Sequence, residues 1–263
     1  MYSPSEEVEL LRDLIRFDTS NPPGGERACI EFVGSLLGQA GVQHRYLALE
    51  EERPNLVARV PGRGAAPPLL LYGHVDVVPA DPVEWTHPPF AAELIDGEVW
   101  GRGALDMKGG VAMLVSALLR TASAETPPPG DVLLALTSDE EAGSQPGMRF
   151  IVEEHPGVFD GVRHALSEFG GYTLWRGGRR LVPIQVTEKQ RCLIRATVRG
   201  TGGHASTVVR DPASANLGRL LSRLASHALP VHVTPAARLM LEPMASALPL
   251  HERLFIRGVL ARG

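Results

Sequence analysis

The apolar positions of the chain change period several times, and each change marks an element. Near the amino end Val8, Leu11 and Ile15 recur at helical spacing, with Ser5 placed to cap the helix and Asn21-Pro22-Pro23 to end it. A second helix is predicted from about Glu26 to Ala40, stopped by Gly41. Strand-like runs follow at Arg45 to Leu49, Asn55 to Val60 and Pro68 to Tyr72, and Asp96-Gly97 between apolar runs reads as a hairpin turn. A helix is expected from about Gly110 to Arg120. "VLLALT" (132–137) has the uniform apolarity of a buried strand, and "HALSEFGG" (164–171) holds another short one.

Apolar strands alternating with helices imply an α/β fold: a mostly parallel, twisted sheet with helices on both faces. After about Pro183 the texture changes. "CLIRATVRG" (192–200) alternates like a half-exposed strand, "GTGGHAS" is a glycine loop, and a helix is predicted over Ala213 to Ala228. The expected division is therefore residues 1–183 as one domain and 184–263 as the start of a smaller α+β domain.

Composition narrows the function classes. The net charge of −4 comes from scattered residues of both signs, so no basic surface for nucleic acid or membrane is predicted. Cys29 and Cys192 form no paired motif, which argues against a disulfide framework or a cysteine-rich zinc site. The acidic, amphipathic start is unlike a signal peptide, and no apolar run is long enough to span a bilayer, so a cytoplasmic location is expected. Neither G-x-x-x-x-G-K-[ST] nor G-x-S-x-G occurs, which sets aside a P-loop nucleotide site and a serine nucleophile elbow.

The candidate chemistry lies at or just after predicted strand ends, or in a glycine-rich loop. His74 and Asp76 follow "LLLYG", Asp106 sits in "GRGALDMKGG", Glu140 and Glu141 in "LLALTSDEEAGS", and Glu168 in "ALSEFGG". Taken singly, each has an ordinary structural use: a turn, a cap or a helix-dipole partner. Ligands of open α/β sheets bind beyond the carboxyl ends of strands, so these groups should meet on one rim. One imidazole and up to five carboxylates tolerate each other only with protons or a cation among them. That donor set suits zinc, with cobalt or manganese as substitutes.

The ordered string "GHVDVVP … WTHPPFAAELIDGEVWGRGALDMKGG … TSDEEAGS … SEFGG … RGTGGHAS" resembles the two-zinc peptidase and deacylase family. That family includes aminoacylases, acetylornithine deacetylase, succinyl-diaminopimelate desuccinylase, glutamate carboxypeptidase and carnosinase-like dipeptidases. The resemblance implies a metal-binding catalytic domain and a lid domain through which many members dimerise. It implies hydrolysis of an amide bond in an N-acyl amino acid or small peptide with a free carboxylate. His74, Asp106 and Glu168 are then ligands of one zinc, with Asp106 bridging to a second zinc held by Glu141. Asp76 supports His74, Glu140 is the general base, and His204 is the lid histidine that stabilises the oxyanion.

Members of the family are longer, and their last histidine ligand comes from a later segment than "FIRGVLARG". By that comparison the chain is C-terminally shortened, leaving Asp106 and Glu141 alone for the second metal. His227, His232 and His251 match nothing in that final motif. A rival expectation follows: a non-catalytic metal-binding fragment acting as an interaction protein.

Overall fold

The structure, a computed structural model, describes residues 4–169, 173–188, 192–204, 206–228, 230 and 232–262. The proposed cap at Ser5 involves a side chain outside the described set. Two compact units are present, Met1–Glu168 and Phe169–Gly263.

In the first unit, helices α1 (Pro4–Arg16) and α2 (Arg27–Gln39) precede strands β1 (Gln43–Leu47), β2 (Asn55–Val60) and β3 (Leu69–His74). A hairpin of β4 (Glu93–Ile95) and β5 (Glu98–Trp100) turns at Asp96 and Gly97, both with positive φ, as its two-residue loop requires. Helix α3 (Lys108–Ala122), strand β6 (Val132–Thr137), the short helix α4 (Phe150–Glu154) and strand β7 (His164–Leu166) complete it.

The five-stranded sheet has the order β1-β2-β6-β3-β7. β2 pairs antiparallel with both β1 and β6, while β3 pairs parallel with β6 and β7. Only β2 therefore runs against the others, and the sheet is mostly parallel, as the sequence pattern implies. β6 sits at its centre and is buried along its whole length. Its side chains alternate between faces: Leu134 and Leu136 pack with α1, α2 and α3 through residues such as Leu14, Ile30, Val33 and Val115. Leu133 and Ala135 face the other way, toward Leu70, Met148 and Phe159. Both faces are covered, which is why the central strand reads as an unbroken apolar run.

The second unit contains a separate hairpin, β8 (Leu174–Arg176) with β9 (Arg179–Leu181), and helices α5 (Ala213–Ser226), α6 (Pro235–Ala247) and α7 (Leu250–Arg262). α6 and α7 pack on each other. The change of unit falls after Glu168, earlier than the change of sequence texture near Pro183, because β8 and β9 pair with each other and not with the five-stranded sheet. Residues 192–200 form no strand, in contrast to their alternating pattern. Leu193 and Ile194 are largely exposed, and among the described residues this segment has no ladder partner to take its backbone groups. No helix among the described residues is long and apolar enough to cross a membrane.

The position of β6 makes a stability prediction. Leu134→Ala leaves a cavity between β6 and three helices and is expected to cost about 2–5 kcal/mol in urea unfolding. A loss below about 0.5 kcal/mol, the range of surface substitutions, contradicts this packing.

Candidate metal centre

β3, β6 and β7 run in one direction, so their carboxyl ends open on the same rim of the sheet. His74 is the last residue of β3 and is almost fully buried. Its Nδ1 faces Asp76, 3.0 Å from the backbone oxygen and 3.3 Å from Oδ1. Its Nε2 points the opposite way, 3.1 Å from Glu168 Oε2 and 3.3 Å from Asp106 Oδ1. Glu168 arrives just after β7, and the glutamate pair follows β6 across Ser138 and Asp139.

Asp106 comes from the turn before α3, and its neighbours hold that turn in place. Met107 is buried, and its Sδ accepts the His74 backbone N–H at 3.3 Å. Lys108 is fully buried, and its Nζ donates to the carbonyls of Leu14 (2.9 Å) and Phe17 (2.7 Å) at the end of α1. A cation at the carbonyls of a helix C-terminus is favoured by the helix dipole. Asp106 itself, directly ahead of these two anchors, stays 69% exposed. The Asp106–Met107 peptide is cis.

Asp76 has no exposed surface. Its Oδ1 accepts the backbone N–H of Glu140 and its Oδ2 that of Glu141, both at 3.0 Å. One carboxylate thus orients the imidazole on one strand and fixes the backbone of two glutamates after another. The turn that follows closes tightly, since a Cβ on Gly147 would collide with the Ser138 backbone oxygen.

Two groups of potential ligands result. His74, Asp106 and Glu168 offer atoms within 4.8 Å of one another, and so do His74, Glu140 and Glu141. His74 is common to both. The electrostatics match a site short of positive charge. Burial pushes the carboxyls of Glu140 and Glu141 up, and neighbouring carboxylates add to it. For His74 burial acts downward, but hydrogen bonds to Asp76 and Glu168 and the charges around it prevail and lift it to about 11. A divalent cation among these groups would relieve the same repulsion. The donors, one imidazole and several carboxylates, fit zinc or a similar divalent ion.

The rim therefore gathers His74, Asp76, Asp106, Glu140, Glu141 and Glu168. His204 belongs to the second unit and is exposed, with Nδ1 2.8 Å from Ser206 Oγ and 3.3 Å from Ser206 N. Because the Ser206 N–H can only donate, Nδ1 is the accepting nitrogen and Nε2 carries the proton. Sequence reasoning passed over Asn21, whose Nδ2 donates to Asp76 Oδ2 at 2.8 Å, and Lys108. The sequence marks Asn21 only as part of a helix stop; its nearness to Asp76 crosses 55 residues, and no local pattern reports it.

A model of peptidase family M20/M25/M40 matches residues 70–241. The succinyl-diaminopimelate desuccinylase of Cereibacter sphaeroides is 35% identical over 235 residues, covering 86% of this chain and 58% of that protein. The enzyme of the same name from Paracoccus denitrificans is 39% identical over 150 residues, covering 56% of this chain and 38% of its own length. The matched part of the chain thus spans between about two fifths and three fifths of the length of these two relatives. Among solved structures, human carnosine dipeptidase 1 superposes with a TM-score of 0.55 at 23% identity, over 62% of this chain and 38% of that one. A metallo-carboxypeptidase from Sulfolobus solfataricus gives 0.53 at 24% identity, over 63% and 38%. Those two likenesses concern the fold. The family match covers the whole rim, from His74 through Asp106 and Glu140 to Glu168, and the chain belongs to peptidase family M20/M25/M40.

Proposed function

We propose that this chain carries the hydrolytic centre of a divalent-metal-dependent amidohydrolase. The observation that supports it most is the convergence of His74 with Asp106 and Glu168, and with Glu140 and Glu141, at the ends of parallel strands. His74, Asp106 and Glu168 would hold one cation, zinc first, and Asp106 with Glu141 a second. Bound there, divalent cations polarise a scissile carbonyl and make water acidic enough to attack at neutral pH.

The chain's own residues do the rest. Asp76 holds the His74 ring so that Nε2 faces Asp106 and Glu168. Glu140 takes a proton from the attacking water and returns it to the leaving amine nitrogen, a task suited to a carboxyl whose pKa burial has raised. Glu141, one residue on, serves the cation, so the pair divides ligation from proton transfer. Residues 184–263 are assigned as a lid and dimerisation segment, and His204, with Nε2–H as donor, as the group that stabilises the oxyanion.

The substrate class is an N-acyl amino acid or dipeptide with a free carboxylate. Succinyl-diaminopimelate is the first compound to test, given the names of the relatives.

Two outcomes are expected. Since His74 holds its proton up to about 11, zinc binding near pH 7 releases about one proton per chain, and affinity rises with pH. Calorimetry in buffers of differing ionisation enthalpy measures this, and binding without proton release contradicts it. Glu140→Gln is expected to lower kcat by about 100- to 10,000-fold while metal content per chain stays unchanged. If metal-loaded wild type hydrolyses succinyl-diaminopimelate, N-acetyl amino acids and dipeptides no faster than the variant and the metal-only background, the hydrolytic reading fails and a non-catalytic metal binder remains.

A further inference from the structure

Behind the rim lies a chain of buried polar groups that none of the steps above uses. Asn21 is buried, and its Nδ2 donates to two carboxylates: Asp76 Oδ2 at 2.8 Å and Asp139 Oδ1 at 2.9 Å. Asp139 is nearly buried too, and its Oδ2 accepts the Gln145 backbone N–H at 2.9 Å. Arg53 reaches Asp139 Oδ1 at 3.3 Å and forks onto Glu26, Nε to Oε2 at 3.0 Å and its terminal nitrogen to Oε1 at 2.7 Å. Glu26 is fully buried, and its Oε2 also accepts the Gly25 backbone N–H at 3.0 Å.

We propose that Asn21, backed by Asp139, Arg53 and Glu26, is a positioning residue that sets the backbone of Glu140 and Glu141 by holding Asp76 in register. The inference rests on the hydrolytic reading for its effect on turnover, but not for its effect on structure.

The chemistry of the junction is specific. Two buried carboxylates facing one another repel, and a neutral group with two N–H donors satisfies both without adding a charge. The opposite amide orientation would aim an oxygen at both anions, so the NH2 side is fixed. Asn21 is itself seated by main-chain pairing: its N–H donates to Val77 O at 2.8 Å, and Val77 N–H donates to Thr19 O at 3.1 Å. Thr19 Oγ1 donates to Val75 O at 2.6 Å. The loop between α1 and α2 is thereby stitched to the segment carrying Asp76, and Asn21 arrives in a predetermined place.

From the other side, Asp139 has a φ of +65° and caps the turn through Gln145. That conformation is tolerated by aspartate better than by most residues. Arg53 then bridges Asp139 and Glu26 and offsets one of their two charges, the fork geometry being one that lysine lacks. Asp76 and Asp139 flank the glutamate pair, one accepting its N–H groups and the other turning the chain just before it. Asn21 joins the two flanks, so loosening it frees the pair to shift.

The test is amide hydrogen exchange on the metal-free protein, with turnover measured in parallel. In Asn21→Leu the amides of Glu140 and Glu141 are expected to exchange about tenfold faster or more, with Leu134 in β6 unchanged as the reference for global opening. Arg53→Lys, a milder change, should give a smaller acceleration at the same two amides, and it answers the question if Asn21→Leu does not fold. In the metal-loaded chain Asn21→Leu should lower kcat by about 10- to 100-fold with KM little changed, as for other supports behind a metal ligand. Wild-type exchange at Glu140 and Glu141 in both variants overturns the proposal, as does acceleration that extends equally to Leu134. Selective acceleration in a wild-type chain that hydrolyses nothing upholds the positioning role and removes the hydrolytic reading alone.

Discussion

Asp76 is a carboxylate without exposed surface, and donors close on it from several directions. It faces His74 Nδ1, accepts the N–H groups of Glu140 and Glu141, and takes a further hydrogen bond from Asn21. Burial by itself would drive its proton affinity up, and these donors reverse that and hold it ionised. A buried charge of this kind is stable only while each donor stays in place, so the ends of β3 and β6 and the loop between α1 and α2 cannot move independently.

The rest of the rim can be understood as arranged around that fixed anion. His74 and Asn21 beside Asp76 are buried and Glu140 and Glu141 half-buried, whereas the groups facing outward, Asp106 and Glu168, keep much of their surface open. Rigid support behind and accessible ligands in front is the arrangement expected of a site that exchanges small molecules with solvent. The contrast also explains why Met107 and Lys108, the two residues that follow the exposed Asp106, are buried. They fix Asp106 by its neighbours rather than by its own side chain.

Much of this was legible in the sequence because strand ends and ligand residues coincide. The apolar run of β6 and the end of "LLLYG" locate two strand termini, and the strand-end rule then brings His74, Asp106, Glu140, Glu141 and Glu168 together. β3 extends to His74 itself, beyond the Tyr72 expected from the pattern, because parallel pairing with β6 continues through Thr137. The support behind the rim was not legible. Asn21 meets Asp139 across 118 residues, and Arg53 meets Glu26 across 27; each contact is set by tertiary packing and has no local signature. Residues 192–200 show the converse case, where a strand-like alternation stands without pairing. Alternation reports which side chains would face one way, and the partner that completes a strand lies elsewhere.

The cation site proposed for this rim can be located by anomalous X-ray scattering at the zinc absorption edge, from crystals grown with zinc. A strong peak in contact with His74 Nε2, Asp106 and Glu168 is expected. Full zinc loading in solution with no anomalous peak on this rim, or a peak held by other residues, would contradict it.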